Sequence, residues 1–160
     1  MPHARRRHAS ITARTRVGET MARGSINHIA LTVSDLSATE TAFYGPVLTV
    51  LGYEKAEEDV GRMTLWFNAD AGIAINLWQA ADNLKDQRHA RYSPGFHHCA
   101  FSVESRDEVE EVYDVLLANG IRVLDDPAEY PHYAPGYYAV YFEDPDGLKF
   151  EVVHMPVIPD

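Results

Sequence analysis

The sequence predicts an α+β protein made of two copies of one unit, each a strand, a helix and three further strands. Two observations carry this. The run His28-Ile29-Ala30-Leu31-Thr32-Val33 recurs seventy positions later as His98-Cys99-Ala100-Phe101-Ser102-Val103, and an internal repeat constrains the architecture before any single element does. After each run the apolar pattern takes helical spacing and then strict alternation.

The elements follow in order. Each opening strand leads to a capping-box pattern, Ser37 with Glu40 and Ser105 with Glu108, which starts a helix. In the second helix Val109, Val112, Tyr113, Leu116 and Leu117 form one apolar stripe, and Asn119-Gly120 stops it. Leu51-Gly52 stops the first helix, which Gly45-Pro46 breaks or restarts because proline has no N–H to give. Three strands follow in the first copy, over 53–57, 63–68 and 72–79. The second copy has them over 121–124, 137–143 and 147–154, the last two joined by the turn Asp144-Pro145-Asp146-Gly147. The organisation expected is a disordered Arg-rich tail over 1–24, with Met21 a possible functional start, and a single domain over 25–155. Within it module one spans 25–79, a polar linker 80–96, and module two 97–155.

Composition narrows the function. A chain of 160 residues with 46 % hydrophobic and 24 % charged residues is an ordinary globular mix, with no apolar run of bilayer length. Residues 1–24 carry six arginines against Glu19, a net of +5, which leaves −15 on residues 25–160. Such a body disfavours nucleic acid as a partner. One cysteine, Cys99, excludes a disulfide framework and a cysteine-built zinc site, and with no signal-peptide core the expected location is cytoplasmic. The eight histidines become the informative residues.

Strand alternation sorts them by face. Ile29, Leu31 and Val33 share the core face, while His28, Ala30 and Thr32 share the other; Cys99, Phe101 and Val103 against His98, Ala100 and Ser102 repeat the division. One histidine above two small residues leaves room for a ligand, and Cys99 faces the core as packing. The closing strands leave Ala74, Asn76 and Trp78, and Lys149, Glu151 and Val153, opposite the core. If the halves pair about a pseudo-twofold axis, His28, Asn76, His98 and Glu151 converge, and two imidazoles with a carboxylate form a divalent-metal site with open positions. His97 alternates to the opposite face and is not expected as a ligand. Tyr141 shares a face with Ala139 and Glu143, but the Pro-Gly turn interrupts its parity with Glu151. Trp66, Trp78 and the tyrosines can wall a pocket for a small apolar substrate, with ordinary packing the plainer reading of Trp66.

Asn27-His28-Ile29-Ala30-Leu31, His98 to Val103 and Glu143 to Glu151 resemble the vicinal oxygen chelate superfamily of glyoxalases, bleomycin-resistance proteins, fosfomycin-modifying transferases and extradiol dioxygenases. The resemblance implies paired βαβββ modules in a cupped mixed sheet, a small-molecule substrate, a homodimer, and metal ligands at His28, His98 and Glu151. Against extradiol dioxygenases, His132, Val140-Tyr141, the Asp144 to Gly147 turn and Glu151 keep the signature spacing, with Tyr130 departing from it. That implies Fe2+, with His132 as the acid/base and Tyr141 bonded to a substrate oxygen. Against glyoxalase I, Asn76 stands where a carboxylate or glutamine supplies a fourth ligand, and Zn2+, Ni2+ or Mn2+ becomes the implied ion. A fosfomycin-type transferase also uses His, His and Glu, though the sequence displays no obvious cationic pocket for a phosphonate. A metal-free drug-binding protein of the bleomycin-resistance type is the alternative outside catalysis.

Overall fold

The structure is a computed structural model describing residues 23–156. The expected tail and Met21 lie outside the described residues, apart from Arg23 and Gly24. β1 (His28–Val33) leads into α1 (Leu36–Thr39), a π-helical turn (Glu40–Tyr44) and α2 (Gly45–Val50), followed by β2 (Glu54–Asp59), β3 (Met63–Asn68) and β4 (Ile73–Gln79). β5 (Cys99–Val103), α3 (Arg106–Ala118), β6 (Arg122–Glu129), β7 (Tyr138–Glu143) and β8 (Lys149–His154) repeat that order. Each module closes its own four-stranded sheet, β1-β4-β3-β2 and β5-β8-β7-β6. In both, the first pair is parallel and the rest antiparallel. The repeat is therefore carried through to the topology, as two cupped βαβββ modules.

The first helix departs from expectation in two places. Its cap is Asp35, whose carboxylate accepts from the Ala38 amide at 3.0 Å, and not Ser37. Glu40 is drawn away from a capping role by Trp66 Nε1 at 2.8 Å and Lys55 Nζ at 2.9 Å. Gly45-Pro46 restarts the helix, as expected: α2 begins at Gly45 after the π turn. The Gly45 amide reaches back five residues to the Glu40 carbonyl, and this widened turn accommodates a proline that a regular helix would reject. A side chain at Gly45 would put its Cβ 3.0 Å from that carbonyl, a tight contact that glycine avoids. α3 keeps the full capping box of Ser105 and Glu108. β6 runs longer than expected because Pro127 falls in an irregular stretch between Asp125 and Ala128, on an edge strand where a missing N–H is tolerated.

One core serves both modules. Leu31, Val33, Leu77, Val109, Leu116, Phe142, Phe150 and Val152 belong to a single buried cluster. Phe43, on the π turn, lies with its ring 5.8 Å from Phe142 and 5.5 Å from Phe150, and Tyr44 meets Phe150 edge-on at 5.9 Å. The Tyr44 hydroxyl donates to Asp144 at 2.8 Å. Asp144 is 2 % exposed and also accepts the Asp146 and Leu148 amides of its own turn. Gly147 closes the turn at φ 88°, open to glycine and strained for other residues. From the other side, the Ser34 amide donates to Asp146 at 2.8 Å. The faces carrying His28 and His98 lie away from this core: Ala30, Thr32, Ala100 and Ser102 are all exposed. Among the described residues no helix is long and apolar enough to cross a membrane.

Burial lifts the Asp144 carboxyl to about 6, with its hydrogen bonds opposing the rise. The folded chain thus holds a proton that the unfolded chain has released, so this group's contribution to stability falls as pH rises from about 4 to about 6. Asp144→Asn preserves the shape and removes the titration. Urea unfolding across that window should show the variant gaining on the wild type by up to about 3 kcal/mol, since each tenfold change in proton affinity is worth about 1.4 kcal/mol. A constant gap between the two would contradict it.

Candidate functional site

The candidate site is the cup of the second sheet. Strand register assigns its residues. Ala100 stands opposite Glu151 across the parallel pair, and Tyr141 opposite Glu151 across the antiparallel one. Tyr141 therefore shares a face with Glu151, the relation that the Pro-Gly turn hid in the sequence. Ala139, Tyr141 and Val153 form an apolar floor, with Leu124, Tyr130 and Tyr137 packed against it.

Glu151 lies 2 % exposed on this floor, accepting a hydrogen bond from the Tyr137 hydroxyl. The second carboxylate oxygen faces His98 Nε2 at 3.4 Å. Burial, helped by His97, Lys149 and Arg91, holds the His98 imidazole below its ordinary pKa against the pull of Glu151. It is thus neutral at pH 7 and has a lone pair to offer. Burial first, and the Glu151 carboxylate next, push the Tyr137 and Tyr141 hydroxyls well above the ordinary phenol, so both keep their protons. His97 does not turn away: both it and His98 precede β5, which begins at Cys99, and strict alternation does not hold there. Its Nδ1 lies 2.7 Å from His98 Nδ1 and its ring edge packs on Tyr92. That contact orients the His98 ring, and no spacing rule could have revealed it.

The first sheet bears the other two expected ligands. His28 is exposed, with Nδ1 2.9 Å from the Asn27 side-chain oxygen. Asn76 shares its face, and its Oδ1 is buried without a partner. Among the described residues no three His, Cys, Asp or Glu side chains gather as a metal-holding group. His28 therefore does not join His98 and Glu151 in such a group within the described chain. The reason lies in the shared core: each sheet turns its helix side there, so the two histidine faces open away from it. Trp66 is a core residue, whereas Trp78 stays half-buried on the first cup with Arg62 over its ring at 5.8 Å. His132 is exposed on the β6–β7 loop, its ring 4.2 Å from Tyr133. Cys99 is half-buried, and burial raises its thiol, in keeping with packing.

The linker is more than a spacer. Its Arg91 and Arg88 reach Glu143 at 3.4 and 3.6 Å, and Arg122 reaches it at 2.6 Å. Lys149 lies over the Tyr141 ring at 3.9 Å. Lys149 and Arg91 thus bring positive charge beside His98.

A family model described as the Glyoxalase/Bleomycin resistance protein/Dioxygenase superfamily matches residues 25–152. The uncharacterized protein YqjT of Bacillus subtilis is 34% identical over 128 residues, 80% of this chain and 97% of that protein. The metallothiol transferase FosB of Lysinibacillus sphaericus is 34% identical over 131 residues, 79% of each chain. A crystal structure from Bacillus halodurans superposes with a TM-score of 0.72 at 28% identity, covering 83% of this chain and 97% of the other.

Tyr137→Phe removes the hydroxyl that Glu151 accepts. Leaving a buried carboxylate short of a donor should cost about 1–3 kcal/mol in urea unfolding at neutral pH. In a double-mutant cycle with Glu151→Gln the two losses should be clearly less than additive, and simple additivity would break the pairing.

Proposed function

The chain belongs to the Glyoxalase/Bleomycin resistance protein/Dioxygenase superfamily, and we propose that it is a divalent-metal-dependent enzyme that transfers a small group onto a small, oxygen-bearing substrate. The observation that carries this reading is the His98–Glu151 pair on the floor of the second cup, a neutral imidazole against a buried carboxylate. Nitrogen and carboxylate oxygen aimed at one point fit a divalent cation. The resemblance to a metallothiol transferase supports transfer, with a thiol as the leading donor.

In this reading His98 and Glu151 hold the ion together with His28 of a second copy of the chain, Asn76 being a possible fourth donor. The outward faces of the two cups support sharing between copies, because a second molecule can lay its first cup over the second cup of its partner. A bound divalent ion supplies Lewis acidity toward adjacent oxygens of the substrate. His97 keeps the His98 ring turned toward Glu151. Tyr141, which keeps its proton, donates to a substrate oxygen on which negative charge develops, while Tyr137 keeps its own O–H on Glu151. The apolar floor of Ala139 and Val153 keeps water away from that oxygen.

The ring-cleaving dioxygenase reading depended on His132 acting beside Tyr141. The ring of His132 packs on Tyr130 and Tyr133 at the exposed loop, which lends that role no support. A metal-free drug binder has no use for His98 against a buried Glu151, and metal content separates it from the enzyme.

Elemental analysis of anaerobically purified protein should find a divalent ion in the wild type and lose it in His98→Ala, Glu151→Gln and His28→Ala. Iron would revive oxygen chemistry, whereas zinc, nickel or manganese fits transfer. Heterodimers assembled from His28→Ala and His98→Ala chains retain one intact site, so they should recover metal that neither variant holds alone. His97→Phe should weaken the metal by about tenfold, as loss of an orienting partner does. Absence of metal from the wild type after reconstitution would overturn the enzyme reading, and heterodimers without metal would overturn the shared site.

A further inference from the structure

We infer that Lys149 and Arg91 form the seat of an anionic group on the substrate, of carboxylate or phosphoryl type, beside the His98–Glu151 pair. This rests on the metal-assisted reading of that cup and names the class of substrate it takes.

Residues 25–160 hold only eight lysines and arginines. Four of them, Arg88, Arg91, Arg122 and Lys149, gather around Glu143, in a body whose net charge is −15. Glu143 is itself buried and can neutralise only one of the four. Arg122 takes the closest position on it, at 2.6 Å. Arg91 holds it at a loose 3.4 Å, and the Nε–H of Arg91 is buried without any acceptor. Lys149 stands across the strand from Glu143, yet its ammonium rests on the face of the Tyr141 ring, and among the described residues no carboxylate oxygen pairs with it. Asp125 and Glu151 also face it, at longer range.

A half-buried ammonium and a buried guanidinium N–H without partners cost free energy in an isolated chain. The ammonium's cost is removed by a ligand that brings negative charge and several acceptor oxygens, and the loosely held Arg91 guanidinium adds its charge to the same seat. The register sets the distance. Lys149 and Glu151 share the cup face two residues apart, about 6–7 Å along the strand, and the charge of Lys149 acts on His98, which lies one residue before β5. A small molecule can therefore present an oxygen at His98–Glu151 and an anionic group at Lys149 and Arg91 at once. The equivalent position in the first module is Ala74, opposite His28, so the seat exists in one half of the repeat only. A neutral catechol or other uncharged substrate would leave it empty of charge.

The test is calorimetric titration of metal-free and zinc-loaded protein with methylphosphonate and acetate, and with ethylene glycol as the neutral comparison. Saturable binding of one or both anions, and none of the glycol, is expected in both forms. Lys149→Met should weaken anion binding by at least about tenfold, the scale of a hydrogen bond to a charged group. Zinc affinity should stay within a factor of about two. Should Arg91→Gln fail to fold, Arg91→Lys retains the charge while removing the buried Nε–H, and a weakened anion response is expected from it too. Failure of both anions to bind the wild type at millimolar concentration, or unchanged binding in Lys149→Met, overturns the seat. Loss of zinc binding alone, with anion binding intact, would instead count against the metal-assisted reading and leave the seat standing.

Discussion

The packing of Phe43 and Tyr44 against the second sheet is the contact on which the rest of the molecule depends. Both residues project from the π turn, and that turn exists because Pro46 could not continue a regular helix. Phe43 joins Phe142 and Phe150 in one aromatic cluster, and Tyr44 reaches the buried Asp144. Asp144 in turn organises the bend between β7 and β8, which sets Tyr141 opposite Glu151. A local helical irregularity in the first module thereby fixes the register of the second cup. It also commits the helix side of each sheet to a common interior, leaving the histidine faces for something outside the chain.

The two cups share one strand order and differ in chemistry. Register aligns Asn76 with Glu151, Leu65 with Tyr141 and Ala74 with Lys149. At each of the three positions the first module has a neutral or apolar residue where the second has a charge or a hydroxyl. The linker adds Arg88 and Arg91 to the same side. Polar function is therefore gathered in one half of a symmetric scaffold, and the first cup contributes chiefly His28, the Asn76 oxygen and a surface.

Much of this was readable from the sequence because alternation and repetition are local. His28 and His98, the core faces of their strands, the capping box of α3 and the turn at Asp144 each depend on residues a few positions apart. What could not be read depends on contacts between distant segments. Glu40 leaves its cap for Trp66, a side chain 26 positions away. His97 and His98 both precede β5, too early for alternation to govern them, and so meet. Arg91 finds Glu143 across 52 positions. The expected convergence of His28 with Glu151 assumed that both cups of one chain face each other, and no residue pattern distinguishes that arrangement from cups that face outward. The aromatic core around Phe43 makes the distinction, through packing that no single window of sequence contains.

The outward cups give the site a thermodynamic character of its own. Donors on two separate faces cannot be preorganised by one chain, so any ion or ligand that engages both must also hold two copies together. By linkage, each such ligand then strengthens the pairing by as much as the pairing strengthens its own binding. The second cup, with its buried carboxylate and the Lys149 ammonium on Tyr141, keeps its arrangement in the isolated chain through Tyr137, His97 and the Glu143 cluster. Among the described residues His28 hydrogen-bonds through its side chain to Asn27 alone. In the proposed assembly the second cup is prearranged by the fold, and the first would supply His28 when two copies meet.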